Sequence, residues 1–315
     1  MTIYDVLNSP ALLKRFCRDY NVPVSTFSPE HFQCQLDTLC LYSDVYKKRF
    51  DEFLIELSDY ESEEKYFEYY NQVKDSVIQH IQSKESFHQF SLKSFQPSLH
   101  VKAELYTQDN NNKDFISVDL RKANFTILNL YCPDIFDGMT WEEFISGFGA
   151  SDYIANSKYI RQVIFGACNP KKQIQAQTEL MSKIADALVA EGYKIYSVVT
   201  DEIILSAEEG ETLSAAGVFD CIKHYFPELA SSVKVDYFNL RKNLQGYEKF
   251  IVASTDMMKC GPTFKCIDSD VFCQVIKYYY HQEITESDLV FDYKGSLARY
   301  ISPIDNPFTN EYFGG

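Results

Sequence analysis

Two carboxylates stand where this chain should be apolar. Asp119 follows Ile116 and Val118 in Ile-Ser-Val-Asp-Leu, and Asp201 sits between Val198-Val199 and Ile203-Ile204-Leu205. Both stretches read as strands, and they flank a long helical pattern. A charge set among buried strand residues is costly unless something positive compensates it. A divalent cation is the simplest compensation, because Mg²⁺ prefers one or two carboxylates plus substrate phosphates to a complete protein cage. The pair therefore points to a two-metal site for nucleotidyl transfer, with Mg²⁺ or Mn²⁺ as the cofactor.

The order of elements around the two aspartates sets the fold class. Residues 1–95 read as helices rich in Tyr and Phe, with Phe50, Phe53, Leu54, Leu57 and Tyr60 at helical spacing as a core stripe rather than a base-stacking platform. After the break at Gln96-Pro97-Ser98, Leu99 to Tyr106 is expected to be a strand. The asparagine-rich turn from Gln108 to Lys113 then joins it in a hairpin to the Asp119 strand. A short helix from Thr140 to Gly149 carries the only tryptophan, Trp141, and a second runs from Asp152 to about Cys168. Pro170 fits the first turn of a third helix, with Asn169 as its cap. Its apolar run from Ile174 to Leu188 stops at Gly192.

Tyr193 to Leu205 is a strand bent near Thr200-Asp201, and a helix follows Glu208-Glu209-Gly210 to about Phe226. Strands at Val233 to Leu240 and Lys249 to Ala253, a helix from Ser269 to His281 and a loop-like tail complete the chain. This order describes an α+β protein in which helices back an antiparallel sheet. It divides into a helical N-terminal region (1–95), a sheet-containing catalytic unit (96–255) and a C-terminal helix and tail (256–315).

Composition narrows the function. The 315 residues are 45% hydrophobic, as a globular protein with a real core requires. No apolar run approaches the roughly 18 residues of a spanning helix, and the N-terminus lacks the layout of a secretory signal, so a cytoplasmic location and no membrane partner are expected. Nine cysteines at irregular spacing read as free thiols, and Cys260, Cys266 and Cys273 fit no common zinc arrangement. The six histidines stand alone, none beside a nucleophile signature. A net charge of −15 argues against generic nucleic-acid binding. The charge is segregated, however: acid concentrates in residues 56–65, whereas Arg121, Lys122, Lys158, Arg161, Lys171, Lys172, Arg241 and Lys242 accompany the aspartate segments.

Three segments carry a resemblance. Asp119-Leu120-Arg121-Lys122-Ala123-Asn124-Phe125 is similar to the first palm motif of family B DNA polymerases, an aspartate strand of the form Asp-Leu-x-x-Leu-Tyr-Pro. Arg161-Gln162-Val163-Ile164-Phe165-Gly166 looks like a degenerate form of their second, a helix with a basic residue and a downstream Tyr-Gly. Tyr196-Ser197-Val198-Val199-Thr200-Asp201-Glu202 is similar to their third, Tyr-Gly-Asp-Thr-Asp-Ser. All three occur in the family's order within residues 96–255. The reverse-transcriptase palm is the second match, because Val118 to Phe125 also looks like its Leu-Asp-Leu-Lys-Asp-Ala-Phe-Phe.

The resemblance implies a polymerase-palm-like sheet and a DNA polymerase-type nucleotidyltransferase that acts in DNA replication on a primer–template and nucleoside triphosphates. It assigns Asp119 and Asp201 as catalytic metal ligands, with Glu202 as a third acidic group. Arg161 becomes the phosphate contact, with Lys158 or Lys172 as alternatives, and Leu120 and Asn124 complete the nucleotide-binding set. Three departures accompany it. Val199 replaces the first aspartate of the third motif, Asn124 stands where an aromatic ring usually meets the sugar, and the chain has no room for a proofreading domain and little for a thumb. The departures leave two alternatives open: a catalytically degenerate palm that serves as a binding subunit, and one half of a split polymerase whose missing parts a protein partner supplies.

Overall fold

The computed structural model describes residues 1–24, 28–207, 214–243, 246–256, 260–293 and 296–300. Its N-terminal third is helical: α1 (Ile3–Leu7), α2 (Pro10–Tyr20), α3 (Pro29–Tyr42), α4 (Val45–Ser58), α5 (Glu63–Ser83) and α6 (Glu85–Leu92). The starts follow local chemistry, since Thr2, Ser9, Ser28 and Ser62 each accept a backbone N–H in the first turn of the helix they cap. The expected aromatic stripe is core. Phe50, Phe53 and Leu57 are buried, and Phe16 meets Phe32 and Phe50 edge-on.

The centre of the molecule is β1 (Lys113–Leu120), then α7 (Ala123–Tyr131), α8 (Trp141–Ser146), α9 (Asp152–Asn156), α10 (Lys158–Gly166) and α11 (Pro170–Ala190). A hairpin of β2 (Ile195–Val198) and β3 (Glu202–Ser206) follows, then α12 (Ala215–Tyr225), β4 (Val233–Lys242), β5 (Tyr247–Ser254) and β6 (Gly261–Lys265). All six strands form one antiparallel sheet in the order β2-β3-β1-β4-β5-β6. The first four make a β-α-β-β-α-β unit in which β1 lies between β3 and β4. The chain ends, among the described residues, with α13 (Ser269–Tyr279) against α3 and a separate ribbon of β7 (Val290–Tyr293) and β8 (Ser296–Arg299).

Alternation along β1 sorts its residues between two faces. Ile116, Val118 and Leu120 join the main core with Ile203, Leu205, Val233 and Val235, beneath α7, α11 and α12. Phe115 turns the other way, into a smaller cluster with Leu105, Ile204, Phe238 and Ile251. Ser117 and Asp119 share that second face. The expected α+β class, with helices backing an antiparallel sheet and a helical N-terminal region, is what the chain forms.

Several boundaries differ from expectation. Leu99 to Tyr106 forms no strand: the segment runs extended beside β2, where Val198 donates its N–H to the Val101 carbonyl and Ser197 Oγ accepts from the Ala103 N–H. Too few backbone bonds connect it to the sheet to make a ladder. The single helix expected over 152–168 breaks at Ser157, which ends α9 and caps α10. Asn169 precedes α11 in the left-handed region (φ 54°) and makes no side-chain cap. The sheet also continues past residue 255 through β6, and β7 and β8 were not anticipated. The acidic turn at 208–210 and the tail from 301 lie outside the described residues.

Candidate active site

Asp119 occupies the second sheet face one residue from the end of β1. Across the ladder it stands directly opposite Glu202 of β3 and Lys234 of β4, so the three side chains form one row over three strands. Asp201 lies just beyond, in the turn between β2 and β3. Its carbonyl accepts the N–H of Leu120, which ties that turn to the end of β1. The expectation that Asp201 is enclosed by buried strand residues does not hold. It is exposed, as is Val199, because the hairpin reverses there.

A cleft of about 560 Å³ opens beside this row. Asp119, Asp201 and Leu120 line it, together with Arg121, Lys122, Ala123 and Asn124 from the turn into α7. Lys158, Arg161 and Gln162 enter from α10, Gln177 from α11, and Lys234 and Asp256 from β4 and the end of β5. Five cations therefore face three carboxylates, within a chain of net charge −15.

Local sequence explains the α10 contribution. Lys158, Arg161 and Gln162 fall at i, i+3 and i+4 and share one helix face, while Ile160, Ile164 and Phe165 bury the other. Lys122 adopts φ 48°, a left-handed conformation unusual for a side chain of its size, and thereby turns the chain from β1 into α7. Its ammonium is held by Glu142 of α8 at 2.5 Å. Asn124 accepts a 2.6 Å hydrogen bond from Gln177 Nε2, which fixes its amide at the cleft wall.

The electrostatics mark Asp119. Burial first, then the neighbouring Glu202 and Asp201, raise its pKa above the usual carboxylate range, against the opposing pull of Lys234 and Lys249. The two carboxylates beside Asp119 add to the cost of its charge, and the two lysines offset part of it. The donor set of exposed Asp201 and half-buried Asp119 suits an oxygen-ligated Mg²⁺ or Mn²⁺ that keeps open positions for phosphate. Among the described residues no three His, Cys, Asp or Glu side chains converge as a ready-made metal cage.

The sequence-derived residues do not all meet. Asp119, Asp201, Leu120, Asn124, Lys158 and Arg161 share the cleft. Lys172 does not line it: its ammonium donates to the Lys93 carbonyl at 2.8 Å and lies near the Phe95 ring, so it anchors the segment after α6. Glu202 adjoins Asp119 but is engaged by the buried Lys249, 3.4 Å away, whose ammonium also donates to Ser117 Oγ at 2.8 Å. Arg241 is at the other end of β4, over the Phe250 ring. Burial lowers the pKa of Arg161, partly offset by Glu142, and a guanidinium keeps its charge in such surroundings.

Lys234, Asp256 and Gln177 escaped the sequence reading. Lys234 and Asp236 carried a usable signal, since they alternate with Val233 and Val235 and so leave the apolar face of β4. Lys234 pairs with the buried Asp236 at 2.6 Å and stands beside Asp119. Asp256, 4.0 Å from Arg121, gave no local signal. Compared with protein-family models and with curated proteins, the chain matches none.

Proposed function

We propose that the protein is a template-dependent nucleic-acid polymerase of the two-metal type, extending a primer from nucleoside triphosphates. One observation carries the reading: Asp119 and Asp201 share a cleft with the cationic face of α10, so a carboxylate pair and a phosphate-binding surface confront each other. Phosphoryl transfer asks little of a protein beyond positioning and charge neutralisation, and the cleft offers both. The resemblance of the segments around Asp119, Arg161 and Asp201 to the family B palm supports it, as does the β-α-β-β-α-β order of the sheet.

In this reading Asp119 and Asp201 would hold Mg²⁺ or Mn²⁺, which would supply activation of a primer hydroxyl and charge neutralisation for the triphosphate. Arg161 and Lys158 bind phosphate oxygens from the opposite wall. Glu202 orients Lys249 and adds negative potential behind Asp119. Asn124, steadied by Gln177, lines the wall where the resemblance puts the sugar.

A second reading, a degenerate palm that binds a protein partner or forms part of a split polymerase, draws on Val199 in place of an aspartate and on the engagement of Glu202 by Lys249. The deciding experiment is extension of a labelled primer–template with Mg²⁺ and with Mn²⁺, deoxy- and ribonucleotides tested separately, beside an Asp119→Asn, Asp201→Asn double variant. Incorporation by the wild type and a loss of about 10³-fold or more in the double variant is expected, an effect on the scale of removing an electrostatic catalytic group. No incorporation by wild-type protein, with both forms equally folded, would favour the binding subunit.

A further inference from the structure

The helix that carries Lys158 and Arg161 is anchored by a carboxylate from the far end of the sequence. Asp19, on α2, is fully buried. Ser157 Oγ donates to its Oδ1 at 2.7 Å, and Tyr153 donates its hydroxyl to Oδ2 at 3.2 Å. The same Ser157 hydroxyl accepts the Ile160 N–H at 3.1 Å, the cap of α10. One buried oxygen atom thus couples α2 to the first turn of α10, across 138 residues of chain.

The surroundings favour this geometry over a looser one. Ser157 is itself fully buried and sits at the break between α9 and α10, where the backbone leaves helical geometry. Tyr20 donates to the Tyr153 carbonyl at 3.0 Å and packs edge-on against its ring, fixing α9 to α2 on the other side of the break. Arg15 lies 3.9 Å from Asp19 and over the Tyr70 ring, so the charge is enclosed by one cation and phenol groups. A carboxylate in such a place is costly to fold around. A purely structural contact between two helices could be made by apolar residues at lower cost.

We propose that Asp19 is a positioning residue: through Ser157 it sets the rotation and N-terminal start of α10, and so aims Lys158 and Arg161 into the cleft. The N-terminal helices then belong to the site rather than forming a separate appendage. This rests on the reading of the cleft as a phosphate-handling site.

The test compares wild type, Asp19→Ala, Asp19→Asn and Ser157→Ala by amide hydrogen exchange across residues 158–166 and by calorimetric binding of inorganic tripolyphosphate. Asp19→Ala and Ser157→Ala should speed exchange at Ile160 and Arg161 about tenfold and weaken tripolyphosphate about fivefold, the range of a lost cap and its partner. Asp19→Asn, which keeps an oxygen acceptor for Ser157, should restore both. The Asp19→Ala, Ser157→Ala double variant should be no weaker than either single one, because the two act through one contact.

Unchanged exchange in α10, or a loss spread equally over all N-terminal helices, would overturn the proposal. So would failure of Asp19→Asn to restore binding. If Asp19→Ala does not fold, Asp19→Leu, which removes the acceptor and fills the volume, takes its place. Wild-type protein that ignores tripolyphosphate would instead refute the phosphate reading of the cleft, while exchange in α10 still decides whether Asp19 holds that helix.

Discussion

Asp19 and Asp119 are both carboxyls held above their ordinary pKa by burial, yet their surroundings differ. Around Asp19 the neighbours are hydrogen-bond donors and one guanidinium: Ser157, Tyr153 and Arg15 all favour its ionised form and leave a pKa of about 6. Around Asp119 two of the neighbours are themselves acidic, Glu202 and Asp201, and they add to the effect of burial. The first group is satisfied from within the protein. The second stands between acidic and basic neighbours, with Lys234 and Lys249 opposing Glu202 and Asp201, and it opens on a cleft rather than into a core. A raised pKa alone does not distinguish a structural carboxylate from a functional one. Carboxylate neighbours at an open cleft do.

The largest expected effect is at Asp19. Replacing it with Ala strands Arg15 and Ser157 in the interior, and a loss of about 3 kcal/mol in urea denaturation is expected, as for other broken buried pairs. A loss under about 1 kcal/mol would place Asp19 among surface-like groups.

The next effect is a pH dependence with a definite sign. Asp19 takes up its proton at about 6 in the folded protein against 3.8 ordinarily, so between those values the folded state binds more protons. Its contribution therefore favours folding fully below about pH 4 and declines as pH rises through 6, by roughly 2 kcal/mol over the window. The phenols of Tyr20, Tyr66, Tyr70 and Tyr153 stay neutral throughout, since burial raises their pKa further above this window. Asp19→Asn should remove this slope, which urea titrations from pH 4 to 7 will read.

Two smaller effects sharpen the other side. Mg²⁺ or Mn²⁺ at about tenfold over its Kd should stabilise wild type by about 1.4 kcal/mol, and the Asp119→Asn, Asp201→Asn variant by nothing measurable. Equal stabilisation of both would locate the cation elsewhere. Without metal, Asp119→Asn should be more stable than wild type at pH 7, because it removes a charge that burial first, and then Glu202 and Asp201, disfavour. A decrease in its melting temperature would mean that Asp119 is structural, like Asp19.

Much of this architecture was legible locally. Apolar stretches marked β1, β4 and, as one strand with a turn or bend near Thr200-Asp201, β2 and β3, and helical spacing marked α11, because each pattern reports what a short element buries. Asp119 and Asp201 announced themselves as charges within apolar stretches, and Lys158 and Arg161 as basic residues clustered around the motifs that carry them. The missed β6 is short and contains Gly261 and Pro262, which weaken any strand pattern. The expected strand at 99–106 had the right composition but lacks a full hydrogen-bonding partner.

What the sequence determined by itself is the order of elements and the pair of aspartates, since both follow from interactions within a few residues of chain. The tertiary structure decided which charges meet. Strand register set Lys234 and Glu202 beside Asp119, and Lys249 then drew Glu202 toward Ser117. The fold of α11 against the segment after α6 turned Lys172 away, and the packing of α2 brought Asp19 to Ser157. Those encounters join residues tens to more than a hundred positions apart, and only the burial of the whole core fixes them.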